Sequence, residues 1–314
     1  MAKISFLFPG QGAQYIGMGK DFYETFPESR VVFDKANAML DFDILAMCFE
    51  ENQQLNETQY TQAAIFTVSE AIRVVLEKLG VKPEVCAGLS LGEYNAIVTS
   101  GALRFEDGLF LVRKRGLLME QAVPAGVGSM AAILYLDATV IERICKEISG
   151  VVQIANYNSP IQTVISGEKE AVAIACNRLK EAGAKKVVPL KVSGPFHSPM
   201  LKECGNELGA ILADIPFKKG NLPYIANVTA EYMDVKEQEQ KKVKELLKKQ
   251  VFSPVLWRQS METMLAEGVD TFIEVGPGKT LSGLIKQIDR QAKVINVERV
   301  SDLEQLTELM IVKR

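Results

Sequence analysis

The sequence predicts an α/β protein: a large core built on a parallel sheet, interrupted once by a small domain of ferredoxin-like order. Three observations predict it. Residues 85–94, VCAGLSLGEY, carry a short apolar strand through a glycine-bracketed serine and into a helix. Residues 3–8 read as another buried strand, and the loop PGQG at 9–12 follows at its carboxyl end, where open α/β sheets place their ligands. Between Pro124 and Pro195 the pattern becomes strand 128–135, helix 138–148, strands 151–157 and 161–166, helix 168–182 and strand 186–190, which is βαββαβ. The expected division is 1–124 with 196–314 as the large domain and 125–195 as the insert.

In chain order, the first loop places Gln11 to donate a hydrogen bond at the strand end. It fails the dinucleotide pattern G-x-G-x-x-G because Tyr15 stands at the last position. Residues 17–79 read as mostly helical scaffold, ending in 63–79, whose apolar residues recur at three and four before Gly80 stops them. GLSLG at 88–92 then matches G-x-S-x-G. Its glycines let the chain reverse so sharply that the Ser90 side chain is pushed out at the strand end, with the N–H groups of the next helix aimed at the same place. That is an α/β-hydrolase-like elbow; the plainer reading is a tight turn whose serine caps the helix. Helices are expected at 91–100 and 105–122, the second bearing Arg113, Lys114 and Arg115, a triplet that by itself reads as a solvated face.

The chain has one histidine, His197, so any Ser-His chemistry must use it. It sits in VSGPFHSPM at 192–200, where Pro195 and Pro199 stiffen the backbone and forbid a regular strand. Because it lies just beyond the insert, the cleft between the two domains should hold Ser90 facing His197. Asn158, between two strands, reads as a turn residue. A helix follows at 199–213, and a strongly charged surface helix with a thin apolar stripe is expected at 235–249. VGPGKT at 275–280 ends like a Walker A motif, but the first glycine would have to stand at Ile273, and the G-x-G-x-x-A at 126–131 leads into a strand rather than a helix. Neither reads as a nucleotide site.

With 314 residues, 47% hydrophobic and 24% charged, the composition is that of a soluble globular protein. A net charge of −3 supplies no basic field for nucleic acid. The five cysteines are odd in number and lack C-x-x-C spacing, which argues against a disulfide framework or a zinc site. Pro9 and Gly10 cut the apolar start too early for a signal segment, and no apolar run approaches the ~18 residues of a membrane span. The expectation is a cytoplasmic protein with no metal and no membrane association.

Taken together, FPGQGAQ at 8–14, GLSLGEY, RKRGLLMEQAVPAG at 113–126, NYNSP at 156–160, GPFHSPM, QVFSPVLWRQS at 250–260 and EVGPGKTL at 274–281 resemble one known family. It is that of the malonyl-CoA:acyl carrier protein transacylases and the related acyltransferase domains of fatty acid and polyketide synthases. The resemblance spans nearly the whole chain. It implies a malonyl ester on Ser90, His197 as base, and transfer from malonyl-CoA to the phosphopantetheine thiol of an acyl carrier protein, with no cofactor beyond the groups the substrates carry. It further implies that Gln11 and the N–H of Leu91 serve the acyl pocket and oxyanion, and that the backbone carbonyl of Gln250 orients the histidine. By the same resemblance Asn158 lies near the pocket, and Arg115, out of the basic triplet, binds the substrate carboxylate. The chemistry suits that choice, because a guanidinium is a permanently charged planar fork matched to a carboxylate.

The family's elbow usually reads G-H-S-x-G, and here Leu89 stands before the nucleophile. Leu91 and Phe196 are of the kind malonyl-using members show, which makes methylmalonyl the weaker substrate. An acidic carrier calls for basic docking residues, with Lys185, Lys186 and Lys286 as candidates. The alternatives are a free-standing polyketide acyltransferase, an acyl-thioester hydrolase sharing the elbow and histidine, and a non-catalytic docking subunit, which only Leu89 favours.

Overall fold

The computed structural model describes residues 3–124, 126–190, 192, 194–307 and 309; Ala125, the expected first residue of the insert, lies outside them. The strands are β1 (Ile4–Phe8), β2 (Val85–Gly88), β3 (Gly128–Leu134), β4 (Val152–Ser159), β5 (Gln162–Glu168), β6 (Lys186–Pro189), β7 (Tyr224–Ile225), β8 (Tyr232–Met233), β9 (Thr271–Val275) and β10 (Lys293–Val297). They form a six-stranded sheet, β10-β9-β1-β2-β7-β8, and a four-stranded sheet, β4-β5-β3-β6.

In the larger sheet β10, β9, β1, β2 and β7 run parallel, as expected of buried apolar strands such as ISFLF of β1. The sheet is nevertheless mixed, not wholly parallel. β8 returns antiparallel to β7 because only residues 226–231 join them, and a parallel return needs a crossover of a dozen residues or more.

β1 is central, and its register sets Phe8 beside Gly88 of β2. The 9–12 loop and the elbow therefore leave the sheet side by side. Space there is so limited that both elbow glycines are obligatory: a Cβ on Gly92 would lie 2.1 Å from Phe8 O, and one on Gly88 1.9 Å from Gly92 C. The helix Gly92–Thr99 then runs through the core with every residue buried. Two long helices, Thr58–Lys78 and Phe105–Gln121, pack against each other beside it.

The smaller sheet is antiparallel throughout, with helices Ala138–Lys146 and Lys169–Glu181 in its connections. β4 ties it to the larger body: Val255 N donates to Ala155 O at 2.8 Å and Tyr157 N to Val255 O at 3.0 Å. Asn158 is part of β4, not a turn residue, because the strand continues through an irregularity to Ser159.

The charged stretch expected to be helical from 235 becomes a regular α-helix only at Gln240–Gln250, with Val235 buried ahead of it. Val243, Leu246 and Leu247 form its inward stripe, and Gln250 at its end is fully buried. Among the described residues no helix is long and apolar enough to cross a membrane.

Candidate active site

A cavity opens where the carboxyl ends of β1 and β2 meet β3, β4 and β5, lined by Gln11, Leu89, Ser90, Leu91, Arg115, Asn156, Asn158, Phe196 and His197 among others. Thr280 and Leu281 join the wall, so the end of the 275–280 loop lies at this site. Glu274 anchors it: its buried carboxylate accepts from Leu281 N at 3.0 Å and Ser282 N at 2.7 Å, opposite the partial positive charge of a helix start.

Ser90 has φ 53°, a left-handed conformation unusual for a residue with a side chain. Its N–H donates to Asn227 Oδ1 at 2.7 Å and its carbonyl accepts from Gln250 Nε2 at 2.8 Å, so the strained peptide is held from both sides. Asn227 is itself fixed by donating Nδ2 to Gly88 O at 2.7 Å. The N–H of Leu91 heads the following helix and donates to no protein acceptor among the described residues. It is free for a developing oxyanion.

His197 lies 2.8 Å from Ser90 Oγ through Nε2 and 2.7 Å from the Gln250 carbonyl through Nδ1. A carbonyl only accepts, so the Nδ1 proton points at it and Nε2 keeps the lone pair that receives the serine hydroxyl. The residue also has a left-handed backbone, φ 57°. His197 N donates to Val251 O at 3.2 Å, and Gln153 of β4 donates Nε2 to His197 O at 2.9 Å, so the end of the Gln240–Gln250 helix and the smaller sheet together hold its backbone. Burial, followed by the Arg115 charge, brings its pKa down to about 4, against smaller upward effects of hydrogen bonds to Gln250 and Ser253. The imidazole is therefore neutral at ordinary pH and able to act as a base.

Arg115 is 1% exposed. Nη1 donates to Gln62 Oε1 at 2.8 Å, and Nη2 donates to both Gln250 Oε1 at 2.9 Å and Ser90 Oγ at 3.0 Å, while Nε has no acceptor. The guanidinium thus stands at the nucleophile with no carboxylate among the described residues bound to it directly. Of the basic triplet, Arg113 pairs instead with Asp41 and Lys114 lies 5.6 Å from the Phe110 ring centre. Burial lowers the pKa of Arg115, yet a guanidinium stays charged at any working pH.

The structure brings Ser90, His197, Arg115, Gln11, Leu91, Gln250 and Asn158 into one place. Gln11 lines the cavity and donates its side-chain Nε2 to Thr58 Oγ1 at 2.9 Å. Asn158 is buried with Oδ1 unpaired. Leu89 lines the cavity while packing against the apolar cluster that contains Leu7, Val85, Ala87 and Trp257. Lys286 spends its ammonium on Arg290 O and Ala292 O, and Lys185 stands 5.3 Å from the Tyr135 ring centre.

Sequence reasoning missed Gln62, Glu93 and Asn227. Glu93 was within reach, since an acidic residue three positions after the serine, on a helix that otherwise carries no charge, needs a partner once buried. Gln62 and Asn227 carry no local signal; they matter only through what folds against them.

The chain matches the family described as Acyl transferase domain over residues 5–306. It is 44% identical over 308 residues to the malonyl CoA-acyl carrier protein transacylase of Bacillus subtilis (strain 168), covering 97% of this chain and 96% of that one. The crystal structure of the malonyl CoA-acyl carrier protein transacylase from Clostridium perfringens superposes with a TM-score of 0.93 at 44% identity, over 99% of this chain and 98% of that one. A malonyl-transacylase solved in complex with its holo type II PKS acyl-carrier protein gives a TM-score of 0.94 at 36% identity, over 98% and 100% of the two chains. On likeness of this extent, the chain belongs to the acyl transferase domain family and, within it, to the malonyl CoA-acyl carrier protein transacylases.

Proposed function

We propose that this protein moves malonyl from malonyl-CoA to the phosphopantetheine thiol of an acyl carrier protein, for fatty acid synthesis, through a malonyl ester on Ser90. The observation that carries the reading is the Arg115 guanidinium 3.0 Å from Ser90 Oγ, buried with its Nε unpaired. A plain acyl group offers that cation nothing. A malonyl group brings a carboxylate that the fork can bind while the reacting carbonyl lies at the serine.

His197 Nε2 takes the Ser90 proton as Oγ attacks the thioester carbonyl, and the oxyanion is met by the N–H of Leu91 and a backbone donor of the Gln11 loop. The intermediate collapses, the C–S bond breaks, and coenzyme A leaves with the proton from His197. The pantetheine thiol then gives its proton to His197, its sulfur attacks the ester carbonyl, and Ser90 departs with that proton. The Gln250 carbonyl keeps the imidazole in the required tautomer throughout. Asn158 is assigned a supporting place in the cavity wall. These side chains and the two thiols account for every proton and electron pair, so the reading assigns no cofactor.

Incubation with malonyl-CoA should add one malonyl mass to the intact protein, absent in Ser90→Ala and lost to a phosphopantetheinylated carrier as malonyl-carrier. Release to water with carrier present would instead mark a hydrolase. Initial-rate plots with both substrates varied should be parallel, and intersecting lines would exclude the acyl-enzyme route.

The pH profile follows from His197. The base must be neutral, and its depressed pKa means that it stays available as pH falls through 6.5 and is lost only through about 4. Between about pH 7 and 5.5, kcat/KM for Ser90 acylation should stay nearly level. A tenfold fall per unit starting near pH 6.5 would contradict the assignment.

The same reading takes 1–124 with 196–314 as an α/β-hydrolase-like catalytic domain and 125–195 as an inserted ferredoxin-like domain. The order β4-β5-β3-β6 with two connecting helices supports it. It also places the protein in the cytoplasm, in keeping with cysteines that stand unpaired.

A further inference from the structure

We propose that Glu93 is a positioning residue for malonyl recognition: its carboxylate holds the Gln250 side-chain amide in the one orientation that turns Oε1 toward Arg115. This rests on the reading of Arg115 as the carboxylate-binding group.

Glu93 lies on the helix after the elbow, is 1% exposed, and is not among the residues lining the cavity, so it does not meet substrate. Its Oε2 accepts from Gln250 Nε2 at 2.6 Å and its Oε1 from Asn227 N at 3.3 Å. The same Gln250 Nε2 donates to Ser90 O at 2.8 Å. Both amide protons are thereby committed, one to Ser90 O and one to Glu93, and only then does Oε1 face Arg115 Nη2 at 2.9 Å. The flipped amide would set its protons against the guanidinium, donor against donor.

Ser90 O can engage one amide proton but not both. Without an acceptor at position 93 the second proton is orphaned in a fully buried site, a penalty that favours any rearrangement of Gln250. Arg115 would then lose one of the three acceptors that aim its fork. Through Asn227, Glu93 also touches the residue that holds Ser90 N.

The role belongs to the acceptor oxygen rather than to the charge. Burial pushes the Glu93 carboxyl up to about 7, opposed by the bonds from Gln250 and Asn227 and by the Arg115 charge. A neutral carboxyl still offers Gln250 its carbonyl oxygen, so reach decides, and two small substitutions separate reach from charge. Glu93→Gln keeps an oxygen for Gln250 Nε2 without charge, giving up only the longer acceptor contact that Asn227 N makes at 3.3 Å. Glu93→Asp keeps the charge but withdraws it by one methylene.

The test is the rate of Ser90 adduct formation from malonyl-CoA and from acetyl-CoA, followed by intact mass on the full chain. Glu93→Gln should load malonyl within about threefold of wild type; Glu93→Asp should lose about tenfold in kcat/KM for malonyl-CoA, chiefly through KM, while acetyl loading stays within about twofold. The proposal is overturned if Glu93→Gln loses malonyl loading and Glu93→Asp keeps it, which would assign the role to charge. It is equally overturned if Glu93→Asp loses nothing, or if both substrates fall together, which would mean a general support of the elbow. A wild-type protein that forms no malonyl adduct would instead remove the proposed function itself.

Discussion

His197→Ala is expected to slow acylation of Ser90 by malonyl-CoA by about 10³–10⁴-fold at neutral pH, leaving the residual rate that an oxyanion site and substrate binding supply alone. The size follows from the geometry. Nε2 at 2.8 Å is the hydrogen-bonded base on Ser90 Oγ, and no other histidine exists in the chain to replace it. Arg115, which also contacts Oγ, is a donor that favours the alkoxide but cannot take its proton. Single-turnover mass spectrometry measures the effect, with a melting curve to check that the buried site, now missing the Nδ1 partner of the Gln250 carbonyl, still folds. The variant's rate should climb with pH where wild type is level, because hydroxide must do what the imidazole did. A loss under tenfold would mean that Ser90 needs no base.

Arg115→Ala should lower kcat/KM for malonyl-CoA by about 10²–10³-fold while acetyl loading holds or improves, since a charge-assisted fork is lost only to the substrate that bears a carboxylate. Arg115→Lys should recover part of the loss, because an ammonium restores charge without the planar pair of donors. Arg115→Ala also removes a cation that depresses His197, so the acid limb of the remaining acetyl reaction should move upward from about pH 4. Equal losses on both acyl groups would count against the carboxylate clamp, and an unmoved acid limb against the influence of Arg115 on His197. Gln62 and Gln250 would each lose a charged donor, so stability should be followed alongside.

Much of this protein was determined by its sequence alone. β1 and β2 are written as short apolar runs with glycine loops at their ends, and the elbow is written in the spacing of Gly88, Ser90 and Gly92. The βαββαβ order was legible in the same way, and a single histidine left one partner for Ser90. These are local facts of periodicity, backbone freedom and composition. The antiparallel return of β8, the placement of Asn158 in a strand and the helix that starts only at Gln240 were not legible, because pairing and docking decide such boundaries.

Only the tertiary structure decided what surrounds the nucleophile. Arg115 is singled out from Arg113 and Lys114 by facing inward, where Gln62, Gln250 and Ser90 supply its acceptors. Glu93 and Asn227 enter the site through Gln250 and the Ser90 peptide, from elements far apart in the chain. The physical reason is that a buried polar group must find a partner within hydrogen-bond reach, and which partner is near is set by how whole elements pack, not by the residues beside it in sequence.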